Sequence, residues 1–145
     1  MYELFLARRP LCRGDDLRRR LGLEGRPYVL ATLHRDFNVD FKDPLAEILE
    51  GLGRIQKAHV VDVVLPVHPR PRRRMAEFGL QERASALKLV EPLGYVELMG
   101  LLEGCSAVVT DSGGFQKEAY FAEKRALVMM PDTGWRELVE VGWHR

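Results

Sequence analysis

Short apolar runs alternate along the chain with longer segments whose apolar residues recur at three- and four-residue spacing. "PYVLATL" (27–33) and "VVDVVLPV" (60–67) read as strands buried on both faces. "LKLVEP" (87–92), "SAVVTD" (106–111) and "RALVMM" (125–130) read as three more. Between them lie helical patterns. Residues 43–57 place Leu45, Ile48, Leu49, Leu52 and Ile55 on one face, with Asp43 as N-cap and Pro44 at the first helical position. "PRRRMAEFGL" predicts a polar helix ending at Gly79, and "YVELMGLLEGC" (95–105) a helix with a broad apolar face. Further helices are predicted over 114–123 and 134–142. Ahead of the first strand, residues 2–9 predict a short helix interrupted by Pro10 and Gly14; a second, "DLRRRLGL", is capped by Asp15 and closed by Gly25.

Strand and helix thus alternate with short connections and no internal repeat. That pattern predicts a doubly wound, Rossmann-like α/β domain: an open parallel sheet with helices on both faces. In such sheets ligands bind beyond the carboxyl ends of the strands. The loops that matter are therefore "HRDFN", "HPRP", "EPLGY", "DSGG" and "PDTGW".

Composition narrows the class. A chain of 145 residues, 46% apolar and 30% charged, suits one globular domain. A net charge of +1 gives no global field for nucleic acid, and no aromatic interleaves the arginines of "HPRPRRR". Most of those arginines read as a solvated helix face. No apolar run reaches membrane-spanning length and no signal peptide opens the chain, so a cytoplasmic protein without a membrane partner is expected. Cys12 and Cys105 lie far apart, consistent with reduced thiols, and Cys105 reads as a small core residue. No Cys or His spacing suggests a metal, and neither a P-loop nor a G-x-S-x-G sequence occurs. No cofactor is expected.

The candidate chemistry sits at the strand ends. Ser112, Gly113 and Gly114 follow a strand and open a helix. There the first N–H groups lack partners, the helix dipole is positive, and glycines let a phosphate approach. The same residues would serve a tight turn capped by Asp111 or Ser112, and the sequence leaves both readings open. Glu118, one turn on, can reach a diol or simply face solvent. His34 and Arg35 end the first strand, where an imidazole can titrate near neutrality and a guanidinium can hold an anion. His68 ends the second. His59 and His144 read as incidental.

Together these segments resemble the non-hydrolysing UDP-N-acetylglucosamine 2-epimerases. "TLHRDFN" is similar to the family's T-x-H-R-x-E-N motif, "LPVHP" to its P-x-H loop, and "LVEPLGYVELMGLLEGCSAVVTDSGGFQKEA" to its long D-S-G-G-x-Q-E-E signature. "DTGWRELVEVGWHR" and "MYELFL" resemble further family segments in the same order. The resemblance implies the C-terminal half of a two-domain glycosyltransferase-B architecture. Residues 1–25 would form interdomain hinge helices and 26–145 a nucleotide-sugar-binding domain, without the N-terminal catalytic domain or the closing segment. It implies a UDP-sugar substrate, with Ser112, Gly113 and Gly114 on the diphosphate and Glu118 on the ribose. His34 would face the substrate, Arg35 would support its loop, and His68 would line the cleft. The implied reaction inverts C2 of the sugar by elimination and re-addition of UDP, with the main carboxylates supplied by the absent domain. The isolated chain would then be inactive, and self-association through its uncovered apolar patch is compatible with this reading. The family Glu of the first motif is Phe37 here. One Glu of Q-E-E is Lys117, at a position that can face solvent, and Trp135 and Arg136 stand near a customary Arg. A glycosyltransferase domain and a non-catalytic flavodoxin-like module are the competing readings.

Overall fold

The computed structural model describes residues 2–8 and 14–145; Pro10 and Cys12 lie outside them. Five strands form one sheet: β1 (Tyr28–Thr32), β2 (Asp62–Pro66), β3 (Lys88–Val90), β4 (Ala107–Thr110) and β5 (Ala126–Val128), in spatial order β3-β2-β1-β4-β5. Every pairing is parallel. The doubly wound α/β expectation is met, down to the continuous burial of β1.

Side chains alternate across the sheet. Tyr28, Leu30, Val64, Val108 and Ala126 face one core, against α1 (Tyr2–Arg8), α2 (Asp15–Arg20), α7 (Tyr95–Gly104) and α8 (Gly113–Phe121). Val29, Ala31, Val63, Leu65 and Val109 face the other, against α4 (Lys42–His59), α5 (Pro69–Glu77) and α6 (Gln81–Ser85). A small helix, α3 (Asp36–Val39), follows β1, and α9 (Arg136–Glu140) follows β5.

Several boundaries differ from the sequence expectation for identifiable reasons. The second strand begins at Asp62 rather than residue 60, because Val60 takes a left-handed conformation (φ 52°) that ends α4, its N–H bonded to the Gln56 carbonyl. Gln56 then ties that turn down by accepting from the Val63 N–H at 3.1 Å. Asp43 is not the N-cap of α4; Phe41 is, which puts Asp43 and Pro44 inside the first turn, where a missing N–H does no harm. Asp15 likewise lies within α2, capped by Gly14, and α2 stops at Arg20 because Gly22 (φ 68°) turns the chain before Gly25 is reached. The short helices α3 and α6 have too few residues for a periodic signal.

Candidate functional site

The strand order places the site. The chain runs outward from β1 through β2 to β3, then returns to lay β4 against the other side of β1. At this reversal the loops after β1 and β4 part and leave a crevice, the usual ligand position in such sheets. The Thr32 and Thr110 hydroxyls pair at 2.6 Å beneath it, and Thr110 Oγ1 also accepts the Ser112 N–H at 3.0 Å.

Above that pair, the β4 end turns into α8. Ser112 is the N-cap, its hydroxyl oxygen accepting the Phe115 N–H at 3.3 Å. Its proton remains available to a ligand. Gly113 and Gly114 are the first helical residues. A Cβ added at Gly114 would meet no atom within 4 Å, and its φ is not left-handed. The fold therefore does not require glycine there, although glycine weakens a helix by roughly 0.5–1 kcal/mol relative to alanine. Space beside the first N–H groups is what the missing side chain provides.

Thr32, His34, Leu98, Ser112, Gly114, Phe115 and Glu118 line one small cleft of about 180 Å³. The cleft brings together four of the sequence-nominated groups: His34, Ser112, Gly114 and Glu118. His68 adjoins it, its ring centroid 4.8 Å from that of His34. Arg35 is exposed, with Nε donating to the Asp111 carbonyl at 3.3 Å. The His34 side chain is 44% exposed, and the partial covering of its ring holds the imidazole below its ordinary value; Asp111 pulls the other way, while His68 and Arg35 add to the lowering. Burial pushes the Glu118 carboxyl up, partly offset by a hydrogen bond from the Tyr95 side chain.

Two groups that the sequence reading did not nominate hold this arrangement. Asp111, fully buried, accepts the His34 and Arg35 N–H groups and the Asn38 amide. The loop after β5 buttresses α8: Trp135 Nε1 donates to the Gly113 carbonyl at 2.6 Å, and Thr133 Oγ1 to Gln116 Oε1 at 2.7 Å. Lys117 does not point freely to solvent. Its ammonium lies 3.8 Å from the Trp135 ring centroid and 3.7 Å from Glu137. His144 is not incidental either: buried, it accepts the Ala126 N–H at Nδ1 and sits 3.0 Å from the Gln116 carbonyl through Nε2, pinning the chain's last residues to α8. The arginines of α5 are largely engaged on the surface, Arg70 and Arg74 with Asp40 and Arg72 with Glu91. Among the described residues no three His, Cys, Asp or Glu side chains are grouped to hold a metal ion.

A roomier groove of about 670 Å³ lies away from this chemistry, on the sheet face formed by Val29, Ala107, Val109 and Leu127 beside Ile55. His59, Ser106, Arg125 and Arg145 also line it, but it sits toward the starts of β4 and β5 rather than beyond the carboxyl ends of the strands, so the smaller crevice at the reversal of strand order is the candidate site.

The family model for UDP-N-acetylglucosamine 2-epimerase matches residues 7–145. The chain belongs to that family. It is 44% identical over 115 residues to the UDP-2,3-diacetamido-2,3-dideoxy-D-glucuronate 2-epimerase of Pseudomonas aeruginosa, covering 79% of this chain and 31% of that protein. It is 36% identical over 118 residues to the UDP-N-acetylglucosamine 2-epimerase of Methanocaldococcus jannaschii, covering 79% of this chain and 32% of that protein. A crystal structure of the Methanocaldococcus jannaschii enzyme in complex with UDP-GlcNAc and UDP superposes with a TM-score of 0.80 at 33% identity, over 90% of this chain and 37% of that one. The glycosyltransferase WaaG, at 14% identity and a TM-score of 0.62 over 91% of this chain and 36% of that one, shares the fold alone. This epimerase-family chain thus spans about a third of the length of the curated relatives it matches.

Proposed function

We propose that the chain is the nucleotide-binding part of a UDP-2-acetamidosugar 2-epimerase, with residues 1–25 as interdomain hinge helices and 26–145 as the binding domain. The observation that carries this reading is the open N-terminus of α8. Ser112 and Gly114 line the same cleft as His34, with Gly113 between them at the start of the helix, so that a hydroxyl and the first helical N–H groups are at hand for an anion. A diphosphate suits that end of a helix. Glu118, one turn along, is the ribose partner. His34 is the catalytic group closest to the diphosphate, Arg35 steadies its loop, and His68 lines the cleft.

Epimerisation at C2 by elimination breaks the bond from C1 to the UDP oxygen as the C2 proton leaves. The electron pair of the C–H bond forms the C1–C2 double bond, and negative charge develops on the departing diphosphate. Donors preorganised at Ser112–Gly114 stabilise that charge where it appears. Re-addition of UDP, with a proton delivered to the opposite face of C2, completes the inversion. The acid and base around C2 and C3 would come from the other domain.

The sugar is UDP-N-acetylglucosamine, interconverted with UDP-N-acetylmannosamine for cell-surface polysaccharide. A second reading, UDP-2,3-diacetamido-glucuronate, is favoured by the 44% identity to the Pseudomonas protein. We place the protein in the cytoplasm, where its buried thiol Cys105 stays reduced, with self-association through the apolar patch that a partner domain would cover. Among the described residues no helix is long and apolar enough to cross a membrane. Calorimetric titration of the purified chain with UDP tests the reading. Saturable binding weakened several-fold in Ser112→Ala supports it, and no heat at millimolar UDP overturns it.

A further inference from the structure

Asp111 joins the two halves of the crevice without lining it. Its side chain is 0% exposed. One carboxylate oxygen accepts the His34 N–H at 3.0 Å; the other accepts the same N–H at 3.0 Å, the Arg35 N–H at 2.9 Å and Asn38 Nδ2 at 3.2 Å. Asn38 donates in turn to the Met129 carbonyl at 2.9 Å, just past β5. Among the described residues no Lys or Arg nitrogen comes within ion-pair distance of this carboxylate; the His34 Nδ1 lies 3.9 Å from Oδ1, an ion pair only when the imidazole is protonated.

A buried carboxylate without a strong cationic partner is expensive, and it persists only where its oxygens are filled by donors. Here the donors are backbone. The chain after β1 wraps around one acceptor-only group, which an amide cannot imitate because half of it is a donor. The residue that fixes His34 is followed immediately by Ser112, Gly113 and Gly114. A shift of the anion-binding turn is therefore transmitted through Asp111 to the backbone that carries the imidazole.

We propose that Asp111 is a positioning residue that couples the diphosphate turn Ser112–Gly114 to His34, so that a bound nucleoside diphosphate and the imidazole are held in one fixed geometry. This rests on the nucleotide-binding reading above. The sign of the effect separates positioning from charge. A negative Asp111 next to a diphosphate repels it, so removing that charge would tighten binding if electrostatics alone mattered. If Asp111 holds the geometry, removing it weakens binding instead.

The experiment is UDP calorimetry together with NMR titration of the His34 ring, with and without UDP, on the parent, Asp111→Asn and Asn38→Ala. The groups facing His34 are Asp111 from the β4 end, His68 from the start of α5 and Arg35 on its own loop, and Glu118 of α8 lines the same cleft. In the parent, bound UDP raises the His34 titration point, because an anion arrives beside it. In folded Asp111→Asn we expect UDP affinity to fall about tenfold, as for loss of one charged hydrogen bond, and the UDP-induced displacement at His34 to vanish. A purely structural acid would lower the melting temperature and leave that displacement in place. Unchanged or tighter UDP binding with the displacement intact overturns the proposal. Should Asp111→Asn fail to fold, Asn38→Ala decides: it removes the side-chain donor that holds the Asp111 carboxylate in place, so the His34 response to UDP should shrink, and an undiminished response would overturn the coupling. A parent that binds no UDP instead overturns the nucleotide reading itself.

Discussion

The indole N–H of Trp135 donates to the Gly113 carbonyl at 2.6 Å, fastening the loop after β5 to the first residue of α8. The same ring carries the Lys117 ammonium on its face at 3.8 Å. The contact holds the helix start from behind while its N–H groups face the crevice. Trp135→Phe keeps the ring and the cation contact but removes the donor. It should lower stability by about 1 kcal/mol, the usual net value of one hydrogen bond, and weaken UDP binding a few-fold. Thermal melts and calorimetry on the same preparation check both.

Gly114 offers two effects of opposite sign. Nothing obstructs a Cβ at this position, so Gly114→Ala should stabilise the domain by about 0.4–1 kcal/mol through reduced unfolded-state freedom. The same methyl group occupies the space a phosphate needs, so UDP affinity should fall, and fall further in Gly114→Val. Ser112→Ala should lose roughly 1 kcal/mol of stability as an N-cap and a similar amount of UDP binding. A Gly114→Ala protein that melts higher and still binds UDP like the parent would move the anion site elsewhere.

The strands and their parallel arrangement were legible, though not their spatial order, because each buried run is bounded by loops and separated by a helical period. The crevice was legible through Ser112–Gly114 and His34, since strand-end position alone marks those loops. The positions of Asp111 and Asn38 were not. An acid at a strand end reads as a cap, and its pairing with residues more than seventy positions earlier depends on β1 and β4 being neighbours. The contact of Lys117 was hidden for a similar reason, because its partner Trp135 arrives from the loop after β5. Segments as short as α3 and α6 carry no period at all.

Acidity should separate the two titrating groups of the crevice. Glu118 is raised above 4.5 by burial, so the folded state holds its proton more tightly than the unfolded one. Its contribution is fully present below 4.5 and is lost as pH rises through the folded value. His34 is lowered below 6.5, so its neutral form is favoured by folding; that contribution is present above 6.5 and is lost as pH falls through the folded value. Glu118→Gln should therefore melt above the parent at neutral pH, with the gap closing below pH 4.5. The variant should also discriminate less between UDP and its 2′,3′-dideoxy analogue. Equal discrimination in variant and parent would remove Glu118 from the ribose.

The chain alone should bind UDP without catalysing epimerisation. On the reading of residues 26–145 as one half of a two-domain protein, the reacting sugar sits between the halves; the chain spans about a third of its relatives' length. The crevice offers donors for a diphosphate and one imidazole. It offers no pair of carboxylates placed to flank C2 and C3, since Glu118 is drawn toward Tyr95 and Asp111 is sealed beneath the loop it holds. Proton transfer requires a group within hydrogen-bond reach of the carbon-bound proton, and loss of that geometry removes many powers of ten in rate. Incubation with UDP-N-acetylglucosamine in deuterated water, followed by NMR, reads the step directly. Protium should remain at C2. Adding the remaining portion of a two-domain relative in trans should restore exchange if the halves associate. Deuterium entering C2 with this chain alone, at the rate of a two-domain relative, would place the base among residues 1–145, with His34 the first to mutate.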